Sequence, residues 1–349
     1  MPWFRQRAGD NSQLVQADTV NNNYGLSVKD AECICLKLME ERFVSHSEEA
    51  YRIAKGRFEE FVFNYLKTLT ERAPHAIGNL SDPGIQSAIL EAEEGFAKTG
   101  DIDLGQILVE MLVKRTSETR RDVRQLALNE AIAAAQKLAT KHIDALSLLF
   151  FVRRVQVNSS SLQDFIERAT GLLAPLCESF AHFSVSDAQY LEATGCAVRV
   201  GTISWAAAMR ERYPGFFYRG VIREETPAVA QILDRATARE DLLFQPSWHD
   251  PNVIRVNAVT KDQARELAES SGLDREDLAN LMSSYPLSDE QIAEMFTAVT
   301  PALGSVLELW STVGFDSLEV SLTGIAVGHA NFKKTVGDLF NAEIDVWIN

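Results

Sequence analysis

What this chain lacks narrows its chemistry before anything in it suggests one. No apolar run approaches the ~20 residues of a membrane-spanning helix; the longest, ALSLLFFV at 145–152, sits between His142 and Arg153. The amino-terminal MPWFRQRAGD has basic residues with no apolar segment behind them, so it does not read as a secretory leader, and a cytoplasmic location is expected by elimination. Only four cysteines occur among 349 residues and no CxxC pair. Cys33 and Cys35 are two apart and would point about 200° apart on a helix, which excludes a shared metal. Six histidines are scattered, none at HxxxH or HExxH spacing. The chain has no GxGxxG, no GK followed by Ser or Thr, and no GxSxG, so it offers no phosphate-cradling loop and no nucleophile elbow. No metal and no cofactor is predicted.

Positive charge is also scarce. Thirty-four basic against 49 acidic residues leave a net charge of −15, which repels nucleic-acid phosphates unless a basic patch is segregated. The one dense basic run, VKRTSETRRDVR at 113–124, sets five cations against Glu118 and Asp122 at a helix end. It reads first as a solvated corner and second as a nucleic-acid contact. Residues 274–320 could form a winged-helix shape, but one arginine there faces nine carboxylates, so DNA binding through it is rejected.

What is present is helix. Ser27, with Asp30 three residues on, opens 28–43, and SHSE at 45–48 opens 48–70, where Tyr51, Ala54, Phe58, Phe61, Tyr65 and Leu69 form one apolar stripe. Asp82-Pro83 starts the next helix and TGD at 99–101 ends it. Asp103 is expected to cap 104–115. The alanine-rich 118–139 follows, then 141–156 capped by Thr140 and 162–180 capped by Ser161. The second half mixes helices opened by Pro227, TKDQ (260–263) and SDEQ (288–291) with strand-like CAVRVGTI, VIRVNAV and SLEVSLT; IDVWI at 344–348 also reads as a strand.

These signals predict a mainly α protein: an antiparallel helical array and a carboxy-terminal helical domain with a few short β-strands, behind an amino-terminal β-like tail. The expected divisions are 1–26, 27–157 and 158–349. The tail, GDNSQLVQADTVNNN and its flanks, is too polar for a core and too uncharged for a typical disordered arm. Amide side chains stack between copies of a strand, and an uncharged edge invites pairing. Asn11, Gln13, Gln16, Asn21, Asn22 and Asn23 are therefore the candidates for self-association. Docking on the chain's own helices and disorder are the competing readings. The aromatic loop with Tyr213, Phe216, Phe217 and Tyr218 is a candidate partner patch, but buried core is the stronger reading of it. SWHDP (247–251) sets His249 beside Asp250, the closest approach to an oriented base, but with no partner nucleophile; GDIDLG (100–105) lacks the further oxygens of a calcium loop.

Several pieces taken in order resemble one group: GDNSQLVQA, YGLSVKDA, SEEAYRIAKGRFEEF, SDPGIQSAILEAEEGFAKTGD, LALNEAIAAAQKLATKHIDALSLLF, RYPGFFYRG, LTGIAVGHANFKK and DVWIN. The group is an uncharacterised family of bacterial cytoplasmic proteins known by locus tags; Ser321 stands where threonine is expected. The resemblance carries over no activity, cofactor or catalytic residue, and associates only weakly with defence against phage. The expectation is a non-enzymatic scaffold or regulatory protein that forms homo-oligomers and binds other proteins, with no membrane or nucleic-acid partner. The rival is an enzyme or small-ligand binder with a pocket between the two helical regions.

Overall fold

A computed structural model describes residues 27–43 and 48–349. Six helices come first: α1 (Val28–Phe43), α2 (Glu48–Arg72), α3 (Pro83–Thr99), α4 (Ile102–Ser117), α5 (Val123–Ala135) and α6 (Thr140–Arg154). Local chemistry sets their ends. Asp30 accepts from Ser27 N (3.1 Å) while Ser27 Oγ accepts from Asp30 N (3.2 Å), closing the expected box on α1. Asp82 accepts from Gly84 N and Ile85 N at the head of α3.

Two caps differ from expectation. Gly100 ends α3 in the left-handed region, so Asp101 is the first extended residue and caps α4 through Leu104 N (3.1 Å). Asp103 falls inside the first turn and pairs instead with Lys334. At α6 the cap is Ala139: His142 reaches back so that its Nδ1 accepts from Ala139 N (3.1 Å), a role usually taken by a glutamate.

α7 (Leu162–Leu173), α8 (Val185–Ala193), β1 (Ala197–Arg199), α9 (Trp205–Arg212) and α10 (Pro214–Phe217) follow. Then come α11 (Pro227–Arg235), α12 (Glu240–Leu243), β2 (Phe244–Pro246), β3 (Ile254–Val256), α13 (Lys261–Ser270) and α14 (Arg275–Leu281). The chain closes with α15 (Asp289–Val299), α16 (Ala302–Thr312), β4 (Leu318–Val320) and α17 (Leu322–Val336). β1 pairs antiparallel with β4, Ala197 opposite Val320, and β2 with β3, Phe244 opposite Val256. IDVWI is not a strand: Ile344 and Ile348 are both buried four residues apart and Trp347 packs on Phe150, so 344–346 form a single 3₁₀ turn. The fold is thus mainly α with a few short strands, as the sequence predicts; the amino-terminal tail lies outside the described residues. Among those residues no helix is long and apolar enough to cross a membrane.

One large hydrophobic core draws on Ala31 to Phe217 and on Leu287 to Ile348, so it is continuous across the expected boundary at 157. Its axis is α17, which packs on α4, α5 and α6 although more than 165 residues separate it from the last of them. Close approach requires bare backbone there. A Cβ on Gly328 would lie 2.7 Å from Leu146 O, and one on Gly324 would lie 1.8 Å from Cys196 O. A buried polar network pins the same contact: Asn331 Nδ2 donates to Asp144 Oδ1 and lies as close to Ser147 Oγ (2.8 Å each), and Ser179 Oγ donates to Asp144 Oδ2. Such a network fixes one register, because any slip strands its polar atoms. A second, smaller core runs from Val221 to Met282. It forms a subdomain inserted between α10 and α15, entered and left through adjacent backbone, with Arg219 N bonded to Tyr285 O (3.0 Å).

Candidate functional site

The six amide residues of the tail, Asn11, Gln13, Gln16, Asn21, Asn22 and Asn23, lie outside the described residues. The aromatic loop takes the buried of its two readings, so the partner patch is not exposed. Tyr213, Phe216 and Phe217 are buried and only Tyr218 is half-exposed. PGFF forms the short α10 instead of a loop, which turns the rings inward onto Phe165, with centroids 4.5 and 5.1 Å away for Tyr213 and Phe216. Tyr213 Oη accepts from Val157 N (2.8 Å). The patch therefore joins the two halves of the chain and does not present a surface.

The histidines that might act as bases are committed elsewhere. His249 Nε2 donates to Phe216 O (2.6 Å), and burial pushes its pKa down. Asp250 turns away to accept from Asn252 N (2.9 Å), so the pair is a structural turn. His142 uses Nδ1 for its helix cap and Nε2 toward Asp187 Oδ1 (2.9 Å), leaving neither nitrogen to take a substrate proton. Burial works against the Asp187 carboxylate, but Lys141, Ser184 and His142 outweigh it and hold its pKa well below the usual range.

One concave region among the described residues is one that sequence reading missed. Two adjoining clefts, about 290 and 530 Å³, run between α2, α4, the end of α17 and the segment after it. They share Arg72, Glu110 and Lys333. The first adds His75, Lys114 and His329; the second is floored by Phe61 and Phe96, with Ile102 at its edge. Cations gather here because α2, α4 and α17 all end nearby, and a positive side chain in a last turn complements the helix dipole. Each is neutralised: Arg72 by Glu110, Lys333 by Glu343 (2.7 Å) and Lys114 by Asp345 (2.8 Å). Pairs this exposed are worth about 0–1 kcal/mol apiece, so an incoming group can exchange with them. His329 is held neutral by burial, its Nε2 donating to Ala342 O (2.9 Å). Ile102, in the lining of the second cleft, and Leu339, next in the chain to its lining residues Asp338 and Phe340, are 63% and 74% exposed. Of the basic run at 113–124, Lys114 and Arg124 hold the carboxy-terminal segment and Arg115 is buried against Asn129, so only Arg120 and Arg121 are exposed. These five cations do not line up as one face.

The fold and groove define a mainly helical protein with a small inserted subdomain and an open, charge-paired groove. A protein-family model matches residues 25–348, so the chain belongs to that family, an uncharacterised one carrying a locus-tag name. No curated protein and no solved structure matches the chain.

Proposed function

We propose that the protein is a non-enzymatic scaffold that assembles with copies of itself and binds other proteins, and that the groove along α2, α4 and α17 is its docking surface. The observation that supports this is the pairing of charge and apolar exposure in one open channel. Its ionisable groups neutralise one another, while Ile102 and Leu339 stand exposed beside a floor of Phe61 and Phe96. A peptide bearing both charges and an apolar anchor exchanges partners with those ion pairs and covers the anchors. Cross-linking mass spectrometry in the source cell tests it. Ile102→Asp with Leu339→Asp should abolish the cross-links that Lys333 and Lys334 make to other proteins while leaving the fold intact, and cross-links unchanged in that variant would refute the assignment. Self-assembly through the tail is tested by light scattering before and after removal of residues 1–24. An unchanged mass would end that part of the proposal. The association with phage defence rests on family resemblance and is read by efficiency of plating with and without the gene.

A second reading is favoured by the 290 Å³ cleft, where Arg72, Lys114 and Lys333 converge with two histidines. A small carboxylate or phosphate could bridge them. Thermal shift with inorganic phosphate and succinate separates the readings, since a peptide-binding groove gives no saturable response to either.

A further inference from the structure

The smaller of the two clefts holds charges whose internal pairing leaves part of their bonding capacity unused. Arg72 meets Glu110 through Nη1 alone, which donates to Oε1 (2.6 Å) and to Oε2. Among the described residues its Nε and Nη2 have no hydrogen-bond partner. That edge of a guanidinium is one that takes a carboxylate through two parallel bonds. Glu110 is the more enclosed partner, with its side chain 16% exposed against 43% for Arg72. A carboxylate accepts about four hydrogen bonds, and Glu110 receives both of its own from one nitrogen.

Beside them Glu343 stands between two lysines, Oε1 at 2.7 Å from Lys333 Nζ and Oε2 at 3.9 Å from Lys114 Nζ. Lys114 has its nearer partner in Asp345 (2.8 Å). The backbone next to Glu343 is tied down, since Ala342 O accepts from His329 Nε2 (2.9 Å), while the Glu343 side chain is half-exposed. Three cations and two carboxylates thus line one space of about 290 Å³, at the small end of the ~300–1,000 Å³ of ligand sites. Much of the remaining wall is apolar, with Met111, Leu128 and Ile344 beside the short side chains of Ala326 and Ala330.

A ligand for this cleft has to satisfy both signs. A phosphate or a dicarboxylate complements the cations but sets like charge against Glu110 and Glu343, on a chain whose net charge of −15 already repels it. A simple cation leaves Arg72 and the lysines uncomplemented. A small zwitterion with an apolar tail has neither fault.

We propose that this cleft binds a free α-amino acid with an apolar side chain. Its carboxylate takes the open Nε–Nη2 edge of Arg72, its ammonium takes Glu110 and Glu343, and its side chain lies against the apolar wall. The Arg72–Glu110 pair is kept, so the bond most shielded from water is not broken on entry. The proposal rests on the second reading above, that the cleft takes a small carboxylate, and narrows that reading to one class.

Isothermal titration calorimetry on the full chain tests it with L-valine, L-leucine, L-methionine and L-phenylalanine, then with the deaminated acid and the decarboxylated amine of the tightest binder. At least one amino acid should bind saturably, and each singly charged analogue should bind at least about tenfold more weakly, because it leaves one sign of the lining unpaired. Arg72→Lys keeps the charge but loses the two-bond edge, and should weaken the amino acid about tenfold. Glu110→Gln should weaken the amino acid about tenfold while leaving the deaminated acid unchanged or tighter. A variant that merely disturbs the fold weakens both, and the wild-type comparison of amino acid with analogues needs no variant. Succinate, phosphate or the deaminated acid binding as tightly as any amino acid overturns the proposal and leaves the small-carboxylate reading standing. No saturable heat from any of these compounds ends both.

Discussion

Replacing Glu93 tests the energetics of the core directly, and the sign follows from its surroundings. Burial raises its pKa well above the ordinary carboxylate value. The folded chain therefore keeps a proton that the unfolded chain releases near pH 4.3. Stability is complete below that pH and falls as pH rises toward the folded value, by about 1.4 kcal/mol for each pH unit over which only the folded form is protonated. Glu93→Gln keeps the shape and a polar head but cannot ionise, so its stability should not change with pH on this account. It should match the wild type near pH 4 and exceed it by a margin that widens as the pH is raised to 8. Glu93→Leu also removes two oxygens that have no hydrogen-bond partner among the described residues and should be the more stable at every pH, by about 1–3 kcal/mol. In a chain of 349 residues one kcal/mol moves the melting temperature by only about 1.4 °C, by the usual entropy per residue. Urea titration at pH 4.5, 6 and 8 is therefore the better assay. Parallel pH profiles for wild type and Glu93→Gln, or a leucine variant weaker than wild type, would refute the reasoning.

Two further outcomes are expected. Gly328→Ala should cost roughly 2–4 kcal/mol, because its Cβ would press into Leu146 O at 2.7 Å, while Gly171→Ala in α7, where nothing lies within 4 Å, should gain about 0.5–1 kcal/mol; paired urea titrations check both. His329 is held neutral by burial, so it contributes stability above about pH 6.5 that is lost as pH falls and the unfolded chain takes up its proton. His329→Gln should flatten the stability profile between pH 6.5 and 5.

Much of the architecture was legible because it is local. Ser27 with Asp30, Asp82 with Pro83, Ser161, Thr260 with Gln263 and Ser288 with Gln291 each mark a helix start through bonds made within three residues. The misreadings arise where a distant partner decides. IDVWI alternates like a strand, but Phe150 and the core select the face with Ile344 and Ile348. YPGFF reads as a loop, yet Phe165, nearly fifty residues earlier, draws its rings inside as a short helical turn. The groove was invisible for the same reason. Arg72, Lys114 and Lys333 are each ordinary last-turn cations, and only the packing of α17 against α4 sets them together. The Gly324 and Gly328 pair, four apart with small neighbours, was a signal passed over: it marks a helix face built for close approach. Glu93 gave none: in ILEAEEGF it is one of three carboxylates in a row of helix formers, and period alone places it inward with Ile89 and Phe96.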